Sequence, residues 1–326
     1  MVPTYSSESV DKSILKGKTF SVIGFGNQGR SQALNLRDSG CRLLIGNIED
    51  DYAKQAEDEG FTVLSIREAV QRADIILVLI PDEVQPIVFE RDISGALRAG
   101  QVVDFASGYN IHFGLIHPPT NVDVIMVAPK MIGAAVRTRF NRLSIPNLIA
   151  VNQNSSGHAK EYALALSAMI GGSKGISFDS SFKDEAELDL FSEHAIDGPS
   201  LLGLVSAFDV LVQAGFSPEL IILELYQSGE IVEVWKSAVE KGLLHQLEGH
   251  STTSQYGQLT RGKSATSEQV KQEYRRLLTA IHDGSFVREW TQEMQANYPR
   301  LTELKKEAYS HPINETEKQL RAILNH

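Results

Sequence analysis

Two groups of residues in this 326-residue chain could do chemistry. The first is Gly24-Phe25-Gly26-Asn27-Gln28-Gly29, a G-x-G-x-x-G that closes the apolar run Thr19–Ile23 and opens a helix carrying Ala33-Leu34-Asn35-Leu36-Arg37-Asp38. Such glycines serve a dinucleotide pyrophosphate: Gly24 permits the tight turn, Gly26 lets the backbone approach the phosphates, and Gly29 lets helix and strand pack closely. The phosphates then rest on unpaired N–H groups at a helix N-terminus, where the dipole favours negative charge. The next apolar run, Arg42–Ile45, leads into Asn47-Ile48-Glu49-Asp50-Asp51. A carboxylate about 20 residues beyond the glycines accepts from a ribose 2′-OH, whereas a 2′-phosphate calls for Arg. Glu49 and Asp50, with no Lys or Arg in that turn, favour NADH over NADPH; the same acids would equally suit the first turn of the following helix, Tyr52–Glu59.

The second group is a set of carboxylates in apolar helical sequence. Asp189 and Glu193 are four residues apart, hence on one helix face. Glu224 stands in Leu220-Ile221-Ile222-Leu223-Glu224-Leu225. A carboxylate in such a setting is expected to be paired, to bind a metal or to shift its pKa. Carboxylates converging from separate helices suit Mg²⁺, a hard cation that takes oxygen ligands. A solvated helix face is the alternative for Asp189 and Glu193.

The elements that must position these groups fall into two halves. Up to about Ser181, short continuously apolar strands (Thr19–Ile23, Arg42–Ile45, Ile75–Ile80, Gln101–Phe105, Val122–Val127, Leu148–Val151) alternate with helices. This pattern predicts a doubly wound parallel sheet covered on both faces, an α/β Rossmann domain over 1–181. From 182 to 326 the chain reads as helices only: Asp184–Ile196, Leu201–Ala214, Pro218–Val239, Ser267–Asp283, Phe286–Ala296, Arg300–Ser310 and Ile313–Leu324. Ser217-Pro218 supplies an N-cap and a first-turn proline. The helix Leu201–Ala214 has no polar stripe, so it must be buried between helices or at a subunit interface.

Composition limits the partners. Hydrophobic residues make 42% and charged residues 22% of the chain, with a net charge of −10. A pI near 5.4 argues against nucleic acid and anionic membranes. The one cysteine, Cys41, is placed in a buried strand and suits a reducing compartment. Neither a signal-peptide h-region nor an apolar run of about 18 residues is evident, so a cytoplasmic protein is expected.

The chain resembles the short, class I ketol-acid reductoisomerases of branched-chain amino-acid synthesis over nearly its whole length. The resemblance is carried by Leu15-Lys16-Gly17-Lys18-Thr19, the glycine motif, Pro81-Asp82-Glu83, Asn110-Ile111-His112-Phe113-Gly114 and Val122-Asp123-Val124-Ile125-Met126-Val127-Ala128-Pro129-Lys130. In the helical half it includes Asp189-Leu190-Phe191-Ser192-Glu193, Ser217-Pro218-Glu219, Tyr256-Gly257 and Gly284-Ser285-Phe286. It implies a knotted all-helical C-terminal domain intertwined with a second subunit, in a homodimer or a larger oligomer. It implies Mg²⁺ and a nicotinamide cofactor, and a keto-acid substrate that undergoes alkyl migration before reduction. By motif position Asp189, Glu193 and Glu224 are metal ligands, with Glu224 serving the partner subunit's site. Glu193 and Lys130 are catalytic, Ser251 and Glu224 meet substrate, and Pro81, Asp82 and Gly108 border the cofactor.

Two positions depart from the family. Ser107, in Phe105-Ala106-Ser107-Gly108-Tyr109, stands where the family has an active-site His; Ser228 stands where it has a second Glu four residues after Glu224. The segment Ala134–Arg139 also lacks the usual Pro-Gly-His, and two residues appear inserted between Glu224 and Tyr256. Ser is a weak, neutral ligand for Mg²⁺, and loss of the imidazole removes a proton shuttle with a pKa near neutrality. Ser107 and Ser228 thus take the catalytic and substrate-side positions of a reductase of small 2-keto or imino acids whose isomerase step is weakened or lost, on one metal or two. The alternatives are a true reductoisomerase that tolerates both changes, and a catalytically inactive NAD-binding sensor.

Overall fold

The computed structural model describes residues 1–324. The chain divides into two compact units, Met1–Asp189 and Leu190–His326.

The first unit is built on one nine-stranded sheet. Its strands are β1 (Thr4–Ser6), β2 (Thr19–Ile23), β3 (Arg42–Gly46), β4 (Thr62–Leu64), β5 (Ile75–Val78), β6 (Val102–Phe105), β7 (Asp123–Pro129), β8 (Ile145–Gln153) and β9 (Gly175–Asp179), in the order β1-β9-β8-β7-β6-β5-β2-β3-β4. The six expected strands are present; β1, β4 and β9 were not expected. The sheet is mixed rather than wholly parallel, because β8 returns antiparallel to β7 and β1 lies antiparallel to β9 at the edge.

Alternation along each strand feeds two cores. Phe20, Val22, Ile75, Leu77, Ile125 and Val127 face one side. Ile23, Ile76, Val78, Val103, Phe105 and Met126 face the other. Both sides are buried, so the strands read as unbroken apolar runs. Helices α1 (Asn27–Asp38), α2 (Asp51–Asp58), α3 (Ile66–Arg72), α4 (Gln85–Val88), α5 (Tyr109–His112), α6 (Gly133–Arg139) and α7 (Ala159–Gly171) lie between the strands in sequence. From β2 the order runs one way to β3 and β4, and from β5 the other way to β6 and β7. That reversal is the switch point, and a crevice opens there beyond the carboxyl ends of β2 and β5. Cys41 is half-buried just ahead of β3 rather than inside it, and burial pushes its thiol pKa up to about 11.

The helix α8 (Phe182–Ser192) contains the division between the units. In the second unit follow α9 (Gly198–Gln213), α10 (Pro218–Ile222), α11 (Glu230–Lys241), α12 (Thr252–Arg261), α13 (Glu268–His282), α14 (Ser285–Gln295), α15 (Pro299–Ser310) and α16 (Ile313–Leu324). Gly229, at φ +85°, breaks the single helix expected over Pro218–Val239. The polar helix α12 was not expected. This unit has a small core of Phe208, Ile221, Ile222, Ile313 and Leu320. Helix α9, expected to be buried, leaves Leu201, Leu202 and Val210 about two-thirds exposed within one chain. The expectation of no membrane-length apolar stretch also needs correction. Among the described residues, the helix Phe182–Gln213 meets the length and composition for a membrane span, with a mean hydropathy of 1.5 over its best window, 11% of it buried.

One core residue stands out. Asp104 lies in β6 between Leu77 and Ile125, fully buried, with neither carboxyl oxygen hydrogen-bonded. Burial drives its pKa well above the usual carboxylate value. The folded chain therefore favours the neutral form of Asp104 more than the unfolded chain does. With the folded pKa raised, its contribution to stability is full below the unfolded value near pH 4 and is lost as pH climbs toward the raised value, by up to about 1.4 kcal/mol per pH unit. We expect Asp104→Asn to flatten the fall in thermal stability between pH 5 and pH 8, read by circular-dichroism melts. Parallel melting curves for the two proteins across that range would refute the assignment.

Candidate active site

The glycine turn meets the steric demands read from the sequence. Gly24 has φ +92°, and a Cβ there would lie 2.6 Å from Ile80 Cγ2, just beyond β5. A Cβ on Gly29 would stand 2.1 Å from the Gly24 carbonyl oxygen, so α1 packs against the turn with no room for a side chain. A Cβ on Gly26 would meet nothing within 4 Å, which leaves open space where phosphates must approach. Gly26 is the N-cap of α1, whose first turn carries no acidic residue to oppose an anion.

Around this turn lies a cavity of about 690 Å³. Its wall includes Gly24, Phe25, Gly26, Asn27, Gln28, Asp50, Pro81, Asp82 and Ser107 from the sequence assignment; Gly29, Glu49 and Gly108 lie outside the wall. Asp50 is the N-cap of α2. Its Oδ1 accepts from the Ala53 N–H at 2.9 Å and from Asn47 Nδ2 at 2.8 Å. Asp50 thus holds the helix start and still presents a negative charge to the cavity. The wall also includes residues not assigned to the site from the sequence, among them Ile48 and Tyr52, more than half exposed, and Arg91, locked to Asp92 through Nε at 2.9 Å and Nη2 at 2.7 Å. Exposed apolar groups at a cavity mouth suit a flat aromatic ligand.

Beside this wall is an ionic cluster. Lys130, one residue past β7, donates to Asp189 Oδ1 at 2.5 Å and to Glu185 Oε1 at 3.1 Å. Burial alone would lower the Lys130 pKa, but the Asp189 hydrogen bond and the two carboxylate charges outweigh it and raise it. Glu185 is 3% exposed, and its other oxygen accepts the Gly108 N–H at 2.6 Å. Burial raises its pKa, opposed by Gly108 and Lys130. Glu185 was missed in the sequence, though its place four residues before Asp189 puts both on one face of α8. Asp82 is pushed up to about 7 by burial, then by the charges of Glu185, Glu83 and Asp189; a hydrogen bond from Ser107 opposes this. Gln85 Nε2 donates to Asp82 Oδ1 at 3.1 Å, and Asn110 Nδ2 donates to Gln85 Oε1 at 3.0 Å, a buried brace behind the wall.

In the second unit Glu193 opens a π-helical turn, Glu193–Asp197, and Glu224 sits in another, Leu223–Gln227. Single π turns occur often at functional sites. Glu224, expected in an apolar setting, is exposed in the single chain. Its apolar neighbours turn inward, since Ile221 and Ile222 are core residues. Ser228 Oγ accepts from the Glu230 N–H at 3.4 Å, at the start of α11, and Ser251 is the N-cap of α12. Among the described residues, no three His, Cys, Asp or Glu side chains stand together as a ready metal site. The donor chemistry of Asp189, Glu193 and Glu224, hard carboxylate oxygens on exposed residues, fits Mg²⁺.

Fold and cavity define a dinucleotide-binding α/β protein. Residues 14–175 match the family model for the acetohydroxy acid isomeroreductase NADPH-binding domain, and residues 182–326 that for the ketol-acid reductoisomerase C-terminal domain. A Saccharolobus solfataricus protein provisionally named ketol-acid reductoisomerase 3 is 46% identical over 319 residues, 95% of each chain. The ketol-acid reductoisomerase (NADP(+)) of Pyrobaculum aerophilum is 41% identical over 99% of each chain. A solved structure of an NADH-preferring ketol-acid reductoisomerase from an uncultured archaeon superposes with a TM-score of 0.94 at 34% identity, covering 98% of each chain. The chain belongs to the ketol-acid reductoisomerase family.

The elevated Asp82 gives this wall a pH dependence. Asp82 is neutral below pH 7 and negative above it. A negative wall repels a dinucleotide, so the NADH Kd without Mg²⁺ should rise severalfold from pH 6 to pH 8. Asp82→Asn should bind with little change over that range. Fluorescence titration reads both, and an unchanged slope in the variant would count against Asp82.

Proposed function

We propose that this protein is a nicotinamide-dependent reductase of the ketol-acid reductoisomerase type, acting on a small 2-keto or imino carboxylic acid, with alkyl migration weakened. One observation carries the reading: the two substituted hydroxyls are occupied in local structure. Ser107 bonds Asp82 and accepts from the Tyr109 N–H at 3.2 Å, and Ser228 receives the Glu230 N–H at the α11 start. Neither replaces an imidazole base or a metal-binding carboxylate. What hydride transfer needs is retained, in the glycine cradle and Lys130.

In this reading residues 1–181 hold NADH and residues 182–326 carry the dimer surface and all three metal ligands. The α1 N–H groups bind the pyrophosphate. Asp189 and Glu193 would hold Mg²⁺, with Glu224 serving the partner subunit's site, and the ion would polarise substrate oxygens. Lys130 donates to the reacting carbonyl oxygen and supplies a proton as the hydride arrives at carbon. Glu193 receives or relays a proton on the metal side, and Ser251 bonds the substrate carboxylate. The exposed apolar face of α9 supports a homodimer. The full-length identity to reductoisomerases favours a second reading, a complete reductoisomerase of branched-chain amino-acid synthesis.

NADH oxidation with Mg²⁺ on two substrates separates these readings. A reductase with weakened migration turns over 3-hydroxy-3-methyl-2-oxobutanoate at least about tenfold faster than 2-acetolactate, and the Ser107→His, Ser228→Glu double variant narrows the gap. Equal rates on both substrates in the unmodified protein would establish the second reading.

Asp50 supports NADH preference, since a 2′-phosphate would meet its charge. Asp50→Asn should lower the KM ratio NADPH/NADH about tenfold, roughly 1.4 kcal/mol. An unchanged ratio would show that the preference lies elsewhere, with Arg91 the first alternative.

A further inference from the structure

We propose that a second anion site lies at the opposite end of the sheet, where Lys12, Lys16, Lys18 and Arg42 surround a 240 Å³ cavity that takes a small multivalent phosphate anion of diphosphate size. The inference is independent of the coenzyme reading. The cavity sits at the amino ends of β2 and β3, where Thr19 pairs with Arg42. The glycine cradle is at the carboxyl end of β2, about 16 Å away for five residues at about 3.3 Å each.

The chain carries a net charge of −10, yet four cations and no carboxylate line this cavity. Two of them shape it. Arg42 Nη2 donates to the Gly17 carbonyl at 2.7 Å and Lys12 Nζ to the Ser7 carbonyl at 2.6 Å, and the Lys12 charge also acts on Asp11. Lys16 and Lys18 form no ion pair among the described residues. Leu15 and Phe20, both buried, form an apolar floor. Uncompensated cations around a concavity focus a positive potential that draws anions, and Arg with Lys is the usual pairing for phosphate. At about 30 Å³ per water, the space is that of about eight waters, which suits two phosphate groups better than a nucleotide.

Cys41, the only cysteine of the chain, lines the same cavity and reports on it. The test is N-ethylmaleimide labelling of the full-length protein at pH 9, saturated with NADH so that the coenzyme cradle is filled, with Mg²⁺ omitted. Pyrophosphate is the probe, and sodium chloride at equal ionic strength is the control. Occupancy is expected to slow Cys41 labelling at least about fivefold, with half-effect below about 1 mM. Lys16→Ala with Lys18→Ala should raise that half-effect concentration at least about tenfold, while the NADH Kd and melting temperature stay unchanged. Arg42→Ala is the second variant if the double one is unstable. Protection by chloride equal to that by pyrophosphate, no protection at all, or protection indifferent to these substitutions would each overturn the site.

Discussion

The site depends on one buried carboxylate. Glu185 gives one oxygen to the Gly108 backbone and the other to Lys130. It thereby ties α8 to the turn after β6 and to the end of β7. Close packing enforces the same junction: a Cβ on Gly108 would lie 2.0 Å from the Phe182 carbonyl oxygen. Both oxygens of this deep acid are engaged, which offsets the cost of taking a carboxylate out of water. The arrangement fixes the Lys130 ammonium beside Asp189 before any ligand arrives, which is the preorganisation an electrostatic site needs.

Charge is distributed with the same economy along the cofactor wall. Asp50 caps α2 and faces the cavity with one carboxylate. Asp82 is braced by Gln85 and Asn110, whose side chains are themselves buried. The wall is therefore stiff and mildly acidic, with Arg91 as its one basic residue and that one already paired. A wall of this kind selects among dinucleotides by repulsion as much as by attraction.

The second unit obeys a different constraint. Its own core is small, and large apolar side chains on α9 and α11, Leu201, Leu202, Val232 and Trp235 among them, stay exposed in a single chain. Glu193 and Glu224 each lie in a π turn, and both are exposed in the single chain. Periodicity found most of these helices because Leu, Ile and Val recur at helical spacing. It missed α12, Thr252–Arg261, because that helix is polar and lies on no apolar stripe.

The sequence by itself determined the glycine turn, six of the nine strands and the family. Each rests on residue type at short range: φ +92° at Gly24 demands glycine, and continuous β-branched runs demand a sheet buried on both faces. Strands β1 and β4, three residues each, are too short to show a period and exist because a neighbouring strand offers hydrogen bonds. Only the tertiary structure decided which acids matter. Asp104, Glu185 and Glu224 look alike as acids in apolar sequence, yet one is buried without a hydrogen bond, one is buried with three elements hanging on it, and one is exposed. Burial and partnership are set by residues distant in the chain, and the pKa of a carboxylate follows from them rather than from its neighbours in sequence.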